Sequence, residues 1–276
     1  MNDTSGGLLR GRRGLIMGVA NDHSIAWGIA RMLAGQGAEL AFTYQGEAFG
    51  RRVAPLAATI GSKLVLSCDV EQLDTVDEVF AALRRTWGGL DFVVHAIAYS
   101  DRAELRGCYA DTTRDNFIRT MVISCFSFTE VARRAAALMD RGGALLTLTY
   151  GGSVRVVPNY NVMGVAKAAL ESSVRYLAAD FGPQAIRVNA ISAGPMRTLA
   201  GAGITDARAM YNFQKRHAPL RRTITLDEVG GAAVYLLSDL ASGVTGEVHY
   251  VDAGYHIIST PRPEDVRGQG LDNGDD

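Results

Sequence analysis

Short apolar runs alternate along this chain with longer stretches in which apolar positions recur every three or four residues. The first pattern is that of a strand buried on both faces, the second that of a helix with one buried stripe. Residues 13–18 form an apolar run ending in Gly18; Ile25, Ile29, Met32 and Leu33 then supply a helical stripe, with Ser24 as its expected cap. Residues 38–43 and 63–70 read as two further strands, and residues 73–87 as an amphipathic helix. The run at 90–98 has the composition of a parallel strand covered on both faces, and a polar excursion at 101–111 follows it. A long helix is expected at 113–138, with Phe117, Met121, Phe126 and Phe128 as core or subunit contacts. Residues 143–149 read as a central strand that delivers Tyr150 at its carboxyl end. Met163, Ala166, Leu170, Val174 and Leu177 mark the next helix, which carries Tyr160 and Lys167. A strand at 185–192, a long Gly/Ala-rich connection to His217, a helix at 225–239 and a strand at 246–252 complete the pattern.

This βαβα alternation predicts an α/β fold, a single domain built on a doubly wound parallel sheet with helices on both faces. The expected limits are a flexible segment at 1–12, one folded domain at 13–258 and a flexible tail at 259–276. The connection at about 197–217 lies beside the carboxyl ends of the strands, where an active-site lid belongs.

With 276 residues, 47% of them hydrophobic, the chain is long enough to bury a substantial core. A formal charge of −1 gives no general attraction to nucleic acid or to an anionic membrane, so neither is expected as a partner. Cys68, Cys108 and Cys125 are odd in number and show no CxxC pairing, which points to buried, reduced thiols in a cytoplasmic protein. No secretory leader pattern opens the chain and no apolar run reaches membrane-spanning length. The five histidines show no metal-ligand spacing, so no metal site is expected, and His95 reads as a packed, hydrogen-bonded core residue.

The loop from Gly18 through Ser24 to Gly28 runs from strand to turn to helix, a place where backbone amides and the helix dipole converge on a dinucleotide pyrophosphate. The G-x-G-x-x-G spacing is absent, so an ordinary strand-to-helix connection remains equally open. Gln45 ends the second strand, where an acidic residue marks NAD and a nearby arginine NADP; a neutral amide favours NADH, with Arg51 and Arg52 read as a solvated helix face. Asp69 could reach an adenine ring or cap the following helix. Tyr160 and Lys167 are seven residues apart, which on a helix places them on one face roughly 10 Å apart along the axis. A lysine ammonium favours an ionised phenol and donates well to ribose hydroxyls. Together they propose hydride transfer from a nicotinamide, with a donor placed on the oxygen that becomes negative; structural tyrosines and a surface lysine are the alternative.

The strand ending in Tyr150, the stretch Tyr160-Asn161-Val162-Met163-Gly164-Val165-Ala166-Lys167 and the segment Ile191 to Leu199 resemble bacterial enoyl-acyl-carrier-protein reductase. This is the divergent branch of the short-chain dehydrogenase/reductases. The similarity runs from about Arg13 to Ile258, and six residues separate Tyr160 from Lys167 where ordinary members of the superfamily have three. The resemblance implies a Rossmann-type fold and reduction of trans-2-enoyl thioesters by NADH in fatty-acid elongation, with acyl carrier protein as partner and a homotetramer as the assembly. It implies that Tyr160 holds the enolate oxygen, that Lys167 binds the nicotinamide ribose and that Tyr150 faces the acyl thioester. Gly18, Ser24, Ile25, Gln45, Asp69, Val70, Ile97, Lys167 and Met196 would line NADH. Ala98, Tyr150, Tyr160, Thr198, Leu199 and Ala200 would line the substrate. Ala96-Ile97-Ala98 stands where members commonly have Ser-Ile-Gly, which adds a methyl near the nicotinamide. Carrier docking would fall to Arg208, the single base of the lid stretch 204–209, or to Lys215, Arg216, Arg221 and Arg222.

Overall fold

Successive side chains on a strand point to opposite faces, and in this protein both faces are covered. The computed structural model describes residues 7–196, 198, 207–260 and 262. Among them β1 (Arg13–Met17), β2 (Glu39–Tyr44), β3 (Leu64–Ser67), β4 (Phe92–His95), β5 (Gly143–Thr149), β6 (Ile186–Ala193) and β7 (Val248–Val251) form one sheet. Every pairing is parallel, in the order β3-β2-β1-β4-β5-β6-β7. The helices are α1 (Ile25–Gly35), α2 (Gly46–Thr59), α3 (Leu73–Trp87), α4 (Arg114–Met121), α5 (Ser127–Ala136), α6 (Asn161–Phe181), α7 (Ala207–His217) and α8 (Leu226–Leu237). This is a single-domain Rossmann-like α/β fold.

Leu15, Met17, Val93 and Leu145 face one core with Val76, Leu83, Phe128, Val131, Leu170 and Val174 of α3, α5 and α6. Their neighbours Ile16, Phe92, Val94 and Leu146 face the other, with Trp27, Ile29, Leu33, Val53 and Val229 of α1, α2 and α8. Each fully buried side chain of this size contributes about 1.5–3 kcal/mol. Strands buried on both sides cannot alternate polar and apolar residues, which is why they read as continuous apolar runs. Among the described residues no helix is long and apolar enough to cross a membrane.

Four local outcomes differ from the pattern read along the chain. The run at 90–98 is a strand only over Phe92–His95, because β1 ends at Met17 and the last bond between them is Ala96 N to Met17 O, 3.0 Å. The helix expected at 113–138 is interrupted by a π-helical turn, Val122–Phe126, between α4 and α5. There Ser127 Oγ donates to Ile123 O at 2.7 Å, so a hydroxyl enters the helical ladder, and Ser124 Oγ donates to Tyr99 O at 3.0 Å outside the helix. Phe126 is left 53% exposed while Phe128 is fully buried. Packing also begins before β1: Leu9 is buried and its N–H donates to Gln36 O. Residues 207–217 of the expected lid form α7, whose Gln214 is buried and donates to Asp252 O at 3.3 Å. Residues 197 and 199–206 of that lid, with Leu199 and Ala200, lie outside the described residues.

Candidate active site

Gly18, Gln45, Asp69, Ile97, Tyr150 and Met196 follow the carboxyl ends of β1, β2, β3, β4, β5 and β6. In a doubly wound sheet that edge carries the ligand crevice, opening where the connections switch faces. Here the switch lies between β1 and β4, since α1 covers one face and α5 the other. Gly18 leaves β1 at this point with φ 98°. A Cβ on Gly18 would stand 2.0 Å from the Ala96 carbonyl oxygen, so only glycine fits. Gly18→Ala is therefore expected to destabilise the protein by about 2–4 kcal/mol, combining left-handed strain with a backbone clash. Thermal unfolding measures this directly; an unchanged midpoint would mean that the loop relaxes away from Ala96.

Ser24 does not cap α1 with its side chain. Its Oγ accepts instead from Ala20 N (3.0 Å) and Asn21 N (3.1 Å), bracing the loop. The first turn of α1 carries no acidic residue and no side-chain cap, so its amides and positive dipole end are left for an anion. A dinucleotide pyrophosphate fits this arrangement. Gly28 serves another purpose: a Cβ there would meet Leu226 Cβ at 2.7 Å, so it sets how closely α1 packs on α8.

Gln45 is exposed at the start of α2, while Arg51 pairs with Glu47 at 3.6 Å and the Arg52 guanidinium lies 5.9 Å from the Phe49 ring. Asp69 Oδ1 accepts from Glu71 N at 3.0 Å and closes a turn; α3 starts later, after Gln72, so Asp69 is not its cap. Val70 is buried. Ile97 is half-buried against one core, Ile25 and Met196 against the other. Ala98 is exposed, and Thr198 is half-buried with its N–H on Met196 O at 2.9 Å.

The β5–α6 junction brings the two phenols together. Tyr150 continues the extended path of β5, and Asn159, at φ 59°, turns the chain back so that Tyr160 becomes the residue preceding α6. The two rings meet edge to face with centroids 5.2 Å apart. Leu105, Val162, Met163 and Ala166 enclose Tyr160. Burial, then the neighbouring Tyr150, holds the Tyr160 hydroxyl above the ordinary phenol range. Burial, followed by Tyr255 and Asp252, pushes Tyr150 up to about 12. Both are neutral hydrogen-bond donors near pH 7. The expectation that Lys167 eases ionisation of Tyr160 is not met here, because apolar enclosure favours the uncharged phenol.

Lys167 lies two turns into α6, buried, with Nζ donating to Leu148 O at 2.8 Å. An ammonium has three donors, so two remain for a ligand. Burial lowers Lys167 to about 8, opposed by Cys125 and Glu171.

His95 is a core residue, with Nε2 2.9 Å from Ser127 Oγ and Nδ1 3.3 Å from Thr147 Oγ1. Burial, then Lys167, lowers it to about 3, so it stays neutral. Cys68 and Cys125 are buried, and burial raises both thiols; Cys108, expected inside, is exposed on the polar excursion after β4. Among the described residues no group of three His, Cys, Asp or Glu side chains could hold a metal ion.

The family model described as enoyl-(acyl carrier protein) reductase matches residues 18–256. The chain belongs to this reductase family. The NADH enoyl-acyl-carrier-protein reductase 2 of Rhizobium meliloti is 70% identical over 261 residues, spanning 95% of this chain and 97% of that protein. The crystal structure of the reductase FabI from Candidatus Liberibacter asiaticus is 59% identical with a TM-score of 0.91, covering 93% of this chain and 99% of its own. The enoyl-acyl-carrier-protein reductase of Anaplasma phagocytophilum, solved in complex with NAD, is 56% identical, with a TM-score of 0.91 and coverage of 94% and 98%.

Three features around the two phenols and Lys167 were not read from the chain. Asn161 Nδ2 donates to the carbonyls of Glu104, Arg106 and Gly107 at 3.2, 3.0 and 3.2 Å, tying the polar excursion to the start of α6. Its position beside Tyr160 was the available signal. Tyr255 and Asp252 add to the burial that raises the Tyr150 hydroxyl. Their signal was a cluster of polar aromatics and an acid just after a strand. Glu171 accepts from Thr149 Oγ1 at 2.6 Å; an acid beside the apolar stripe of α6 marked it.

Proposed function

We propose that this chain reduces the C2–C3 double bond of trans-2-enoyl thioesters carried by acyl carrier protein, using NADH, in fatty-acid biosynthesis. The observation that supports this most is the edge-to-face contact of Tyr150 with Tyr160 at the end of β5, with Lys167 two turns along α6 donating to Leu148 O of the same strand. Bound NADH would supply the hydride that adds to C3 of the enoyl chain, leaving as NAD+, and a proton from solvent adds to C2 as the enolate collapses to the saturated thioester. Tyr160, neutral and desolvated, donates to the thioester oxygen as negative charge develops there, a task suited to a phenol that keeps its proton. Lys167 donates to the nicotinamide ribose and places a positive charge beneath the reacting groups. Tyr150 faces the acyl thioester and, through its ring contact, fixes the plane of Tyr160. Gly18, Ser24 and Ile25 hold the pyrophosphate, Gln45 the adenosine ribose, Asp69 and Val70 the adenine, Ile97 and Met196 the nicotinamide. Ala98, Thr198, Leu199 and Ala200 line the acyl path.

Lys215 and Arg216 are exposed in the last turn of α7 and suit an acidic carrier protein. Arg222 is engaged by Glu228 at 2.6 and 2.9 Å and contributes less. A cytoplasmic homotetramer is the assembly we assign.

Exposed, neutral Gln45 supports a preference for NADH, because an amide cannot neutralise a 2′-phosphate. With crotonyl and dodecenoyl thioesters, kcat/KM is expected to favour NADH over NADPH by at least about tenfold, measured from loss of reduced-nicotinamide absorbance. Equal rates with NADPH would defeat the Gln45 argument; NADH binding without turnover on either thioester would defeat the reductase reading.

A further inference from the structure

Lys167 and Glu171 stand one turn apart on the buried face of α6, and each reaches a different atom at the end of β5. Lys167 Nζ donates to Leu148 O at 2.8 Å, while Glu171 Oε1 accepts from Thr149 Oγ1 at 2.6 Å. The next residue is Tyr150. Glu171 is only 6% exposed, and a carboxylate so enclosed is costly unless a charge and a donor hold it. The short bond from Thr149 is such a donor.

We propose that Glu171 is a positioning residue of the reductase: its carboxylate, latched by Thr149, keeps Lys167 in the cationic form that holds the NADH ribose. This rests on the role assigned to Lys167 above. The titratable groups that act electrostatically on Lys167 are Cys125 from the π-helical turn, Glu171 from its own helix and His95 from β4, and Tyr250 of β7 feels Glu171 in turn. Burial keeps His95 neutral and raises the Cys125 thiol and the Tyr250 hydroxyl. Glu171 is thus the acidic side chain one turn along the same buried helix face from a lysine that burial lowers to about 8.

The chain has three lysines, Lys63, Lys167 and Lys215, so lysine labelled with carbon-13 at Cε yields three resolvable NMR titrations. The Lys167 signal is identified by its loss in Lys167→Arg. Glu171→Gln retains an acceptor for Thr149 and removes the charge; the Lys167 midpoint is expected to move about one pH unit lower. The alkaline loss of NADH affinity should move with it. Glu171→Asp, which keeps the charge, should return the midpoint towards that of the parent. Thr149→Val, which removes the donor holding the carboxylate, should shift it in the same direction as Glu171→Gln and decides the matter if that variant does not fold. A Lys167 midpoint unmoved in these variants overturns the proposal. A midpoint that moves while the alkaline limb of NADH affinity survives Lys167→Arg would instead remove Lys167 from cofactor binding and leave the electrostatic effect of Glu171 standing.

Discussion

Tyr160→Phe should lower kcat on an enoyl thioester by about a hundredfold to a thousandfold, the cost of removing one donor from a developing oxyanion. The substitution deletes a single hydroxyl. The ring keeps its edge-to-face contact with Tyr150 and its enclosure by Leu105, Val162, Met163 and Ala166. NADH affinity is expected to stay within about threefold of the parent, and stability within about 1 kcal/mol, since a typical hydrogen bond contributes no more than that net. Single-turnover hydride transfer, NADH titration and thermal unfolding separate these terms. A variant retaining more than about a tenth of the parental rate would show that the hydroxyl is not the donor.

Lys167→Ala should weaken both cofactor binding and turnover. A hydrogen bond from a charged group contributes about 1.5–3 kcal/mol, so NADH affinity is expected to fall by roughly ten- to over a hundredfold. Turnover falls further, because the positive charge beneath the reacting groups is lost with the donor. Leu148 O loses its partner and Glu171 its neighbouring cation, both in buried surroundings. Against those losses stands the relief of no longer burying an ammonium, so the change in stability is smaller than the change in affinity. Fluorescence titration with NADH checks the binding term alone; unaltered affinity would take Lys167 out of the cofactor site.

Both predictions concern residues marked by the chain itself, and the same holds for much of the framework. The strand at 143–149 and the helix at 73–87 were readable to the residue, because a short apolar run and a period-3.6 stripe are local properties of consecutive positions. So was the placement of Tyr160 and Lys167 two turns apart, which follows from helix rise alone. The regions where local reading failed are those where a side chain answers to a distant partner. Ser24 is the N-cap residue of α1, as its place in the chain suggested, but its hydroxyl accepts from Ala20 and Asn21 rather than from the amides of the helix. The helix at 113–138 carried no local mark of its π-helical turn; it forms where Ser124 must reach Tyr99 and Ser127 must reach His95 and Ile123. Cys108 looked like an ordinary small apolar residue and lies outside because its loop is tied to Asn161 by backbone carbonyls.

By itself the sequence determined which segments are strands and helices and that they make a doubly wound α/β domain, since each is written in neighbouring residues. Only the tertiary structure decided that Lys167 binds Leu148 O, that Glu171 joins it through Thr149, and that both phenols are held neutral. Those outcomes depend on how α6 docks against the end of β5 and on how much water that docking excludes, and solvent exclusion is a property of the packed molecule rather than of any stretch of chain.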